Sequence, residues 1–194
     1  MIKVTAGDTG AIEEAADIIK SGGLVAFPTE TVYGLGADGL NKKACQRIYE
    51  VKGRPNNKPL SLLVSDMAMI EELADISPLA ERLINRFMPG PLTLILPSRK
   101  SDSTVGVRMP ANDITLALIK AANVPIAAPS ANISGQSPPT TAQEVFNAFN
   151  GKIPLILDGG TCQFGVSSTI VNLTKEEPLI LREGAISLKK FNLQ

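Results

Sequence analysis

The segment Lys52-Gly-Arg54-Pro-Asn-Asn-Lys58-Pro sets three cations within seven residues, stiffened by two prolines. Lys and Arg two positions apart along a proline-stiffened segment can both grip one anion. Polyphosphate is the anion that suits such a loop; the other reading is an ordinary basic surface loop. Ala128-Pro-Ser130-Ala-Asn132-Ile-Ser134-Gly follows a strand-like run. Its Ser-x-Asn spacing can present a hydroxyl and an amide to phosphate oxygens or to the water shell of Mg²⁺. Gly165-Val-Ser-Ser168-Thr169 lies beside another such run, and Phe27-Pro-Thr29-Glu30-Thr31 ends a third. Either hydroxyl loop alone could serve turns and caps. Three polar strand ends in one sheet favour a small polar ligand.

Arg108, in Val-Arg-Met-Pro, and Arg182, in Leu-Arg-Glu-Gly, each end an apolar run. A cation so close to the core needs an anionic partner, because an unpaired buried charge is costly. That partner is internal, with Asp113, Asp158 and Glu183 as candidates, or it is the carboxylate or phosphate of a ligand.

The chain has no histidine. This excludes a Ser-His-Asp triad, a Cys-His pair, a histidine base and histidine-ligated zinc. An enzyme built from it works by charge and positioning, which suits phosphoryl or nucleotidyl transfer. No GxxxxGK[ST] loop is present. Gly34-Leu-Gly36-Ala-Asp-Gly39 matches GxGxxG, but Pro28 to Tyr33 separate it from the preceding strand, so its glycines read as turn and close-packing residues.

The elements that must position these residues alternate. Strand-like runs are Leu24–Phe27, Leu60–Val64, Leu92–Leu96, Val105–Arg108, Val124–Ala128, Leu155–Leu157, Thr169–Leu173 and Leu179–Leu181. Helical spacing covers Thr9–Lys20, stopped by Gly22-Gly23, then Asn41–Val51 with Asn41 as N-cap, Met67–Ala74 and Pro78–Phe87 with Ser77 as N-cap. Asp113–Ala122 follows, and Thr141-x-x-Glu144 opens a helix through Phe149 as a capping box. The expected class is α/β, an open twisted mixed sheet flanked by helices. The length of 194 residues fits one domain over 1–194.

Lys plus Arg and Asp plus Glu both number 19, so no overall basic field favours nucleic acid. The basic charge is local, running from Lys42 to Lys58, and an RNA-binding module using that patch is the alternative from another class. Aromatics at 4% offer few stacking platforms for it. Cys45 and Cys162 stand far apart without CxxC spacing, as expected of a reducing cytoplasm. No apolar run approaches the roughly 20 residues of a membrane helix, and no signal-peptide core opens the chain.

Seven motifs in order, Phe27-Pro-Thr-Glu-Thr-Val-Tyr-Gly34, Lys52-Gly-Arg-Pro55, Pro89-Gly-Pro-Leu-Thr93, Val107-Arg-Met-Pro110, Ser130-Ala-Asn-Ile-Ser-Gly135, Ser168-Thr-Ile-Val171 and Leu181-Arg-Glu-Gly184, span most of the chain. Together they closely resemble the YrdC-like threonylcarbamoyl-AMP synthases. The resemblance implies a deep concave cleft in which L-threonine, bicarbonate or CO₂, and ATP form threonylcarbamoyl-adenylate and pyrophosphate. That product serves the threonylcarbamoyl modification of the tRNA adenosine next to the anticodon. By resemblance, Thr31, Arg108, the Ala128 backbone and Ser168 form the threonine pocket. Arg54, Lys58, Thr104, Ser130, Pro138 and Arg182 hold ATP, and Lys52 and Asn132 stand beside its phosphates. Catalysis falls to Lys52, Arg54, Ser130 and Asn132, with Mg²⁺ carried mainly by the ATP phosphates rather than by protein ligands.

Where many longer members have a histidine after the Pro-Leu that begins a strand, this chain has Leu63, which removes one expected threonine contact. The chain resembles the short form, which depends on partner proteins for the tRNA step. A related carbamoyl-adenylate former with another acceptor is the remaining enzymatic alternative.

Overall fold

A computed structural model describes residues 3–188. Ten strands form one mixed sheet: β1 (Lys3–Ala6), β2 (Val25–Phe27), β3 (Gly34–Asp38), β4 (Ser61–Leu63), β5 (Leu92–Pro97), β6 (Thr104–Arg108), β7 (Ile126–Ala127), β8 (Leu155–Asp158), β9 (Thr169–Asn172) and β10 (Leu179–Arg182). Their spatial order is β1-β8-β2-β3-β7-β4-β6-β5-β9-β10. Parallel pairs (β1·β8, β2·β8, β4·β6, β5·β9) mix with antiparallel ones (β2·β3, β3·β7, β4·β7, β5·β6, β9·β10).

Helices cover both faces, and the two-residue period of the strands decides which side chains meet which helices. Leu24, Ala26 and Ile156 pack with α2 (Lys42–Lys52) and α6 (Ala142–Phe149) through Ala44, Ile48, Val145 and Phe149. Val25, Phe27, Leu155 and Leu157 point the other way, onto α1 (Thr9–Lys20) and α5 (Asp113–Ala122) through Ala15, Ile19, Leu118 and Ile119. At the other end of the sheet, α3 (Met67–Leu73) and α4 (Pro78–Phe87) bury Ile70, Leu83 and Ile84 against Leu94, Val107 and Val171.

The local signals read from the sequence do what their chemistry requires. Asn41 accepts from Lys43 and Ala44 N–H, Ser77 accepts from Ala80 N–H with Pro78 opening the helix, and Thr141 and Glu144 form a reciprocal capping box. The structure differs from the sequence pattern at three places. β1 is a short, largely exposed strand whose polar Lys-Val-Thr-Ala pattern carries no apolar run. β3 occupies part of the GxGxxG stretch, so Gly34 and Gly36 are strand residues and only Gly39 lies in the turn. Lys52 closes α2, which ends at Gly53 with φ 60°, so it does not belong to an extended loop.

Gly36 is where close packing, rather than a nucleotide, demands glycine. A Cβ there would stand 2.4 Å from Phe27 Cε1 and 2.6 Å from Ile126 Cγ2. Gly36→Ala is therefore expected to cost about 1–3 kcal/mol through overpacking, read as a fall in urea midpoint at unchanged slope.

Candidate functional site

The middle of the sheet leaves part of one face uncovered by helices. Leu62, Leu94, Val107 and Val171 pack into the α3–α4 core, so their neighbours on the same strands turn the opposite way. Ser61, Leu63, Thr93, Arg108 and Ile170 are those neighbours, and they floor a cleft of about 170 Å³. Strand pairing sets the floor in register: Leu63 beside Arg108, Thr93 beside Ile170, and Ala128 N–H donating to Ser61 O at 3.0 Å. Loops at the strand ends supply the walls, Thr31 and Val32, Arg54 with Pro59 and Leu60, Pro129 and Ser130, and Ser167 and Ser168, joined by Arg182 at the end of β10.

Arg108 is only 8% exposed. Its Nη2 meets Glu30 Oε1 at 2.8 Å and donates to Thr31 Oγ1 at 2.9 Å, while Nε donates to Gly90 O at 3.3 Å. The internal partner is thus Glu30 and not Asp113, Asp158 or Glu183, because the loop after β2 folds back across β6. Two edges of the guanidinium are anchored, and Nη1 has no protein partner among the described residues. Burial holds the guanidinium below its ordinary value, opposed by Glu30.

Thr31 has its proton assigned by its neighbours. Thr29 Oγ1 donates to Val32 O at 2.7 Å, so the 2.8 Å contact between the two threonine hydroxyls is donated by Thr31. Thr31 then offers the cleft acceptor capacity only. Across the floor, Ser168 Oγ lies 2.8 Å from Thr93 Oγ1 and accepts from Arg182 Nη2 at 3.2 Å, while Arg182 Nε donates to Ser168 O at 2.9 Å. Burial, followed by the charge of Arg108, lowers the Arg182 pKa, so the two cations feel each other in one cleft.

Lys52 stands beneath the cleft wall. It is 2% exposed, and its Nζ donates to the carbonyls of Ser130, at 2.5 Å, and Asn132. Ser134 N–H returns a bond of 2.8 Å to Lys52 O. Ser130 Oγ donates to Asn132 Oδ1 at 2.5 Å, and Asn132 Nδ2 donates to Ile133 O and Gln136 O at 2.9 and 2.8 Å. Desolvation and the nearby Arg54 lower the ammonium pKa from 10.5 to about 8. Lys52 is therefore a clamp on the Ser130–Asn132 loop, and the joint grip expected of Lys52 and Arg54 is replaced by Arg54 alone facing the cleft. Arg54 donates to Lys58 O at 3.1 Å and Pro59 O at 2.9 Å, which fixes the loop around it.

Thr31, Arg54, Arg108, Ala128, Ser130, Ser168 and Arg182 thus converge on one cavity. Lys58 is exposed and outside it, and Thr104 lies at the far end of β6 from Arg108, also exposed and outside it. Pro138 lines a separate hollow of about 370 Å³ with Ala131, Asn132 and Gln136, on the other side of the Ser130 loop. Lys42 and Lys43 sit exposed at the start of α2 and do not line the cleft. Glu30 and Thr93 gain roles only from buried tertiary contacts, Glu30 with Arg108 and Thr93 with Ser168.

The fold and site are those of an open mixed-sheet α/β protein whose cleft gathers three arginines and several hydroxyls. Residues 17–184 match the Sua5/YciO/YrdC family, whose description reads telomere recombination. The chain is 50% identical over 191 residues to a threonylcarbamoyl-AMP synthase of Pyrococcus abyssi, covering 93% of this chain and 56% of that protein. It is 44% identical over 190 residues to the protein of that name from Bacillus subtilis, covering 93% and 55%. The structure of P. abyssi Sua5 complexed with L-threonine superposes with a TM-score of 0.90 at 47% identity, over 95% of this chain and 57% of that one. The chain belongs to the Sua5/YciO/YrdC family. It spans about half the length of these relatives. Among the described residues, no helix is long and apolar enough to cross a membrane.

Proposed function

We propose that the protein forms threonylcarbamoyl-adenylate from L-threonine, bicarbonate or CO₂, and ATP, releasing pyrophosphate, for modification of the tRNA adenosine next to the anticodon. The observation that carries this reading is that one cavity gathers the buried Arg108 on its floor and Arg54 and Arg182 on its walls. The Nη1 edge of Arg108 suits an amino-acid carboxylate, and the acceptor oxygen of Thr31, which lines the same cavity as Ser168 and Ala128, suits the ammonium or amine beside it. Arg54, Ser130 and Arg182 on the walls suit phosphates. The relatives named threonylcarbamoyl-AMP synthase, and the relative solved with L-threonine, support the same ligands.

In the reaction, the threonine amine adds to CO₂ and loses a proton, giving a carbamate. A carbamate oxygen then attacks the α-phosphorus of ATP, the bond to the bridging oxygen breaks, and pyrophosphate leaves with the electron pair. Arg54 and Arg182 neutralise charge as it builds on the departing group, so they stabilise the transition state more than bound ATP. Among the described residues no three Asp, Glu, Cys or His side chains gather as a metal site. The neutral oxygens of Ser130 and Asn132 are the protein donors suited to Mg²⁺ that arrives on ATP, and the ion would add Lewis-acid neutralisation of the phosphates. A cavity of about 170 Å³ takes the amino acid and the reacting phosphate. The rest of ATP extends past Ser130 toward the hollow at Pro138.

Transfer of the product to tRNA would fall to partner proteins. The proposed chemistry is tested by incubating the protein with ¹³C-bicarbonate, ATP, Mg²⁺ and L-threonine and identifying the product by mass spectrometry. One labelled carbon in a threonylcarbamoyl-adenylate is expected, and ATP turnover without that product would refute the reading.

A further inference from the structure

Both Glu30 carboxylate oxygens are buried and make no regular hydrogen bond; the 2.8 Å approach of Oε1 to Arg108 Nη2 is a contact of charge. Glu30 is 4% exposed and does not line the cleft. The other titratable group beside it is the Cys162 thiol, which burial keeps protonated, so among the described residues Arg108 alone balances the carboxylate. A carboxylate held in this way has an obvious use in the folded protein, because it compensates a guanidinium that would otherwise be buried unpaired. It also has a cost for binding. A second carboxylate arriving at Nη1 finds a cation already neutralised and a like charge across the width of the guanidinium.

We propose that Glu30 is a positioning residue and resident counter-ion: it anchors the Nη2 end of Arg108 in the free protein and competes with the carboxylate of the amino-acid substrate, setting its affinity. The inference rests on the assignment of Arg108 to the threonine carboxylate made above. It separates two properties that a purely structural role would move together. Glutamine at position 30 can keep an oxygen on Nη2 but removes the charge, so the free protein loses stability while the incoming carboxylate gains an uncompensated cation.

The experiment is calorimetric titration of L-threonine, L-threoninamide and ATP into the wild-type protein and Glu30→Gln, with thermal unfolding of each. Glu30→Gln is expected to unfold at a lower temperature yet bind L-threonine about tenfold more tightly, the order expected from removing a like charge at this range. Threoninamide, which has no carboxylate, and ATP should bind as in the wild type. Threonine affinity equal to or weaker than wild type in folded Glu30→Gln would overturn the proposal. So would an equal gain for threoninamide, since that gain would not come from charge. Should Glu30→Gln fail to fold, Glu30→Asp keeps the charge on a shorter arm and loosens the contact with Nη2. It should bind threonine severalfold more tightly, and unchanged or weaker binding there would overturn the idea equally. Wild-type protein that binds no threonine would overturn the functional reading, and this inference with it.

Discussion

Arg108→Ala is expected to weaken L-threonine roughly ten- to hundredfold, the effect of losing a charge-assisted guanidinium–carboxylate pair of about 1.5–3 kcal/mol in a desolvated pocket. ATP affinity should change little, because Arg108 lies on the cleft floor with its anchors on Glu30, Thr31 and Gly90. The same substitution strands Glu30, and a buried carboxylate without its cation destabilises by about 3–5 kcal/mol. The control is therefore Arg108→Ala combined with Glu30→Gln, which should regain much of the lost stability and still fail to bind threonine. Recovery of threonine binding in the double variant would remove Arg108 from the carboxylate site. Arg182→Ala should chiefly weaken ATP, with a smaller loss for threonine, since Arg182 also holds Ser168 through two hydrogen bonds. Calorimetric titration of both ligands into each variant checks this division.

Lys52→Met should lower turnover by more than tenfold, by a route other than direct contact with phosphate. It removes the donor shared by the Ser130 and Asn132 carbonyls and frees the loop that carries both side chains. Lys52→Arg should not restore activity, because a planar fork does not fit where a compact ammonium is buried. Lys42→Ala and Lys43→Ala should do little, being exposed at the other end of α2. A pH signature accompanies the clamp. In the unfolded chain the amine holds its proton up to 10.5, and in the folded protein it releases it near 8. The unfolded state then binds more protons between those values, so this group makes stability rise with pH from about 8 toward 10.5. Urea unfolding across that window should show the rise in wild type and its loss in Lys52→Met; identical slopes would contradict a buried, desolvated Lys52.

The elements were legible where local chemistry decides them. Asn41, Ser77 and Thr141 cap helices because their side chains satisfy first-turn N–H groups wherever the helix goes. β3 was hidden because its glycines are explained only by Phe27 and Ile126, which reach them through tertiary packing. Among the site residues, Thr31, Arg54, Ser130, Ser168 and Arg182 share the cleft as the motifs implied. The environment of Lys52 was not legible. A lysine beside Gly-Arg-Pro reads as a solvated cation, and only the approach of a loop 78 residues further on turns it inward. The partner of Arg108 is hidden for a related reason: a buried pair 78 residues apart is fixed by strand order, which the sequence pattern does not contain.

Pyrophosphate release under systematic omission tests the central claim most directly. With ATP, Mg²⁺, bicarbonate and each amino acid in turn, release is expected only when L-threonine is present. L-serine should be the nearest competitor, since one methyl group is worth about 1–3 kcal/mol of discrimination. Leaving out bicarbonate, under CO₂-free conditions, should stop release as completely as leaving out threonine, because the carbamate that attacks ATP needs both. Equal release with threonine omitted would contradict the account.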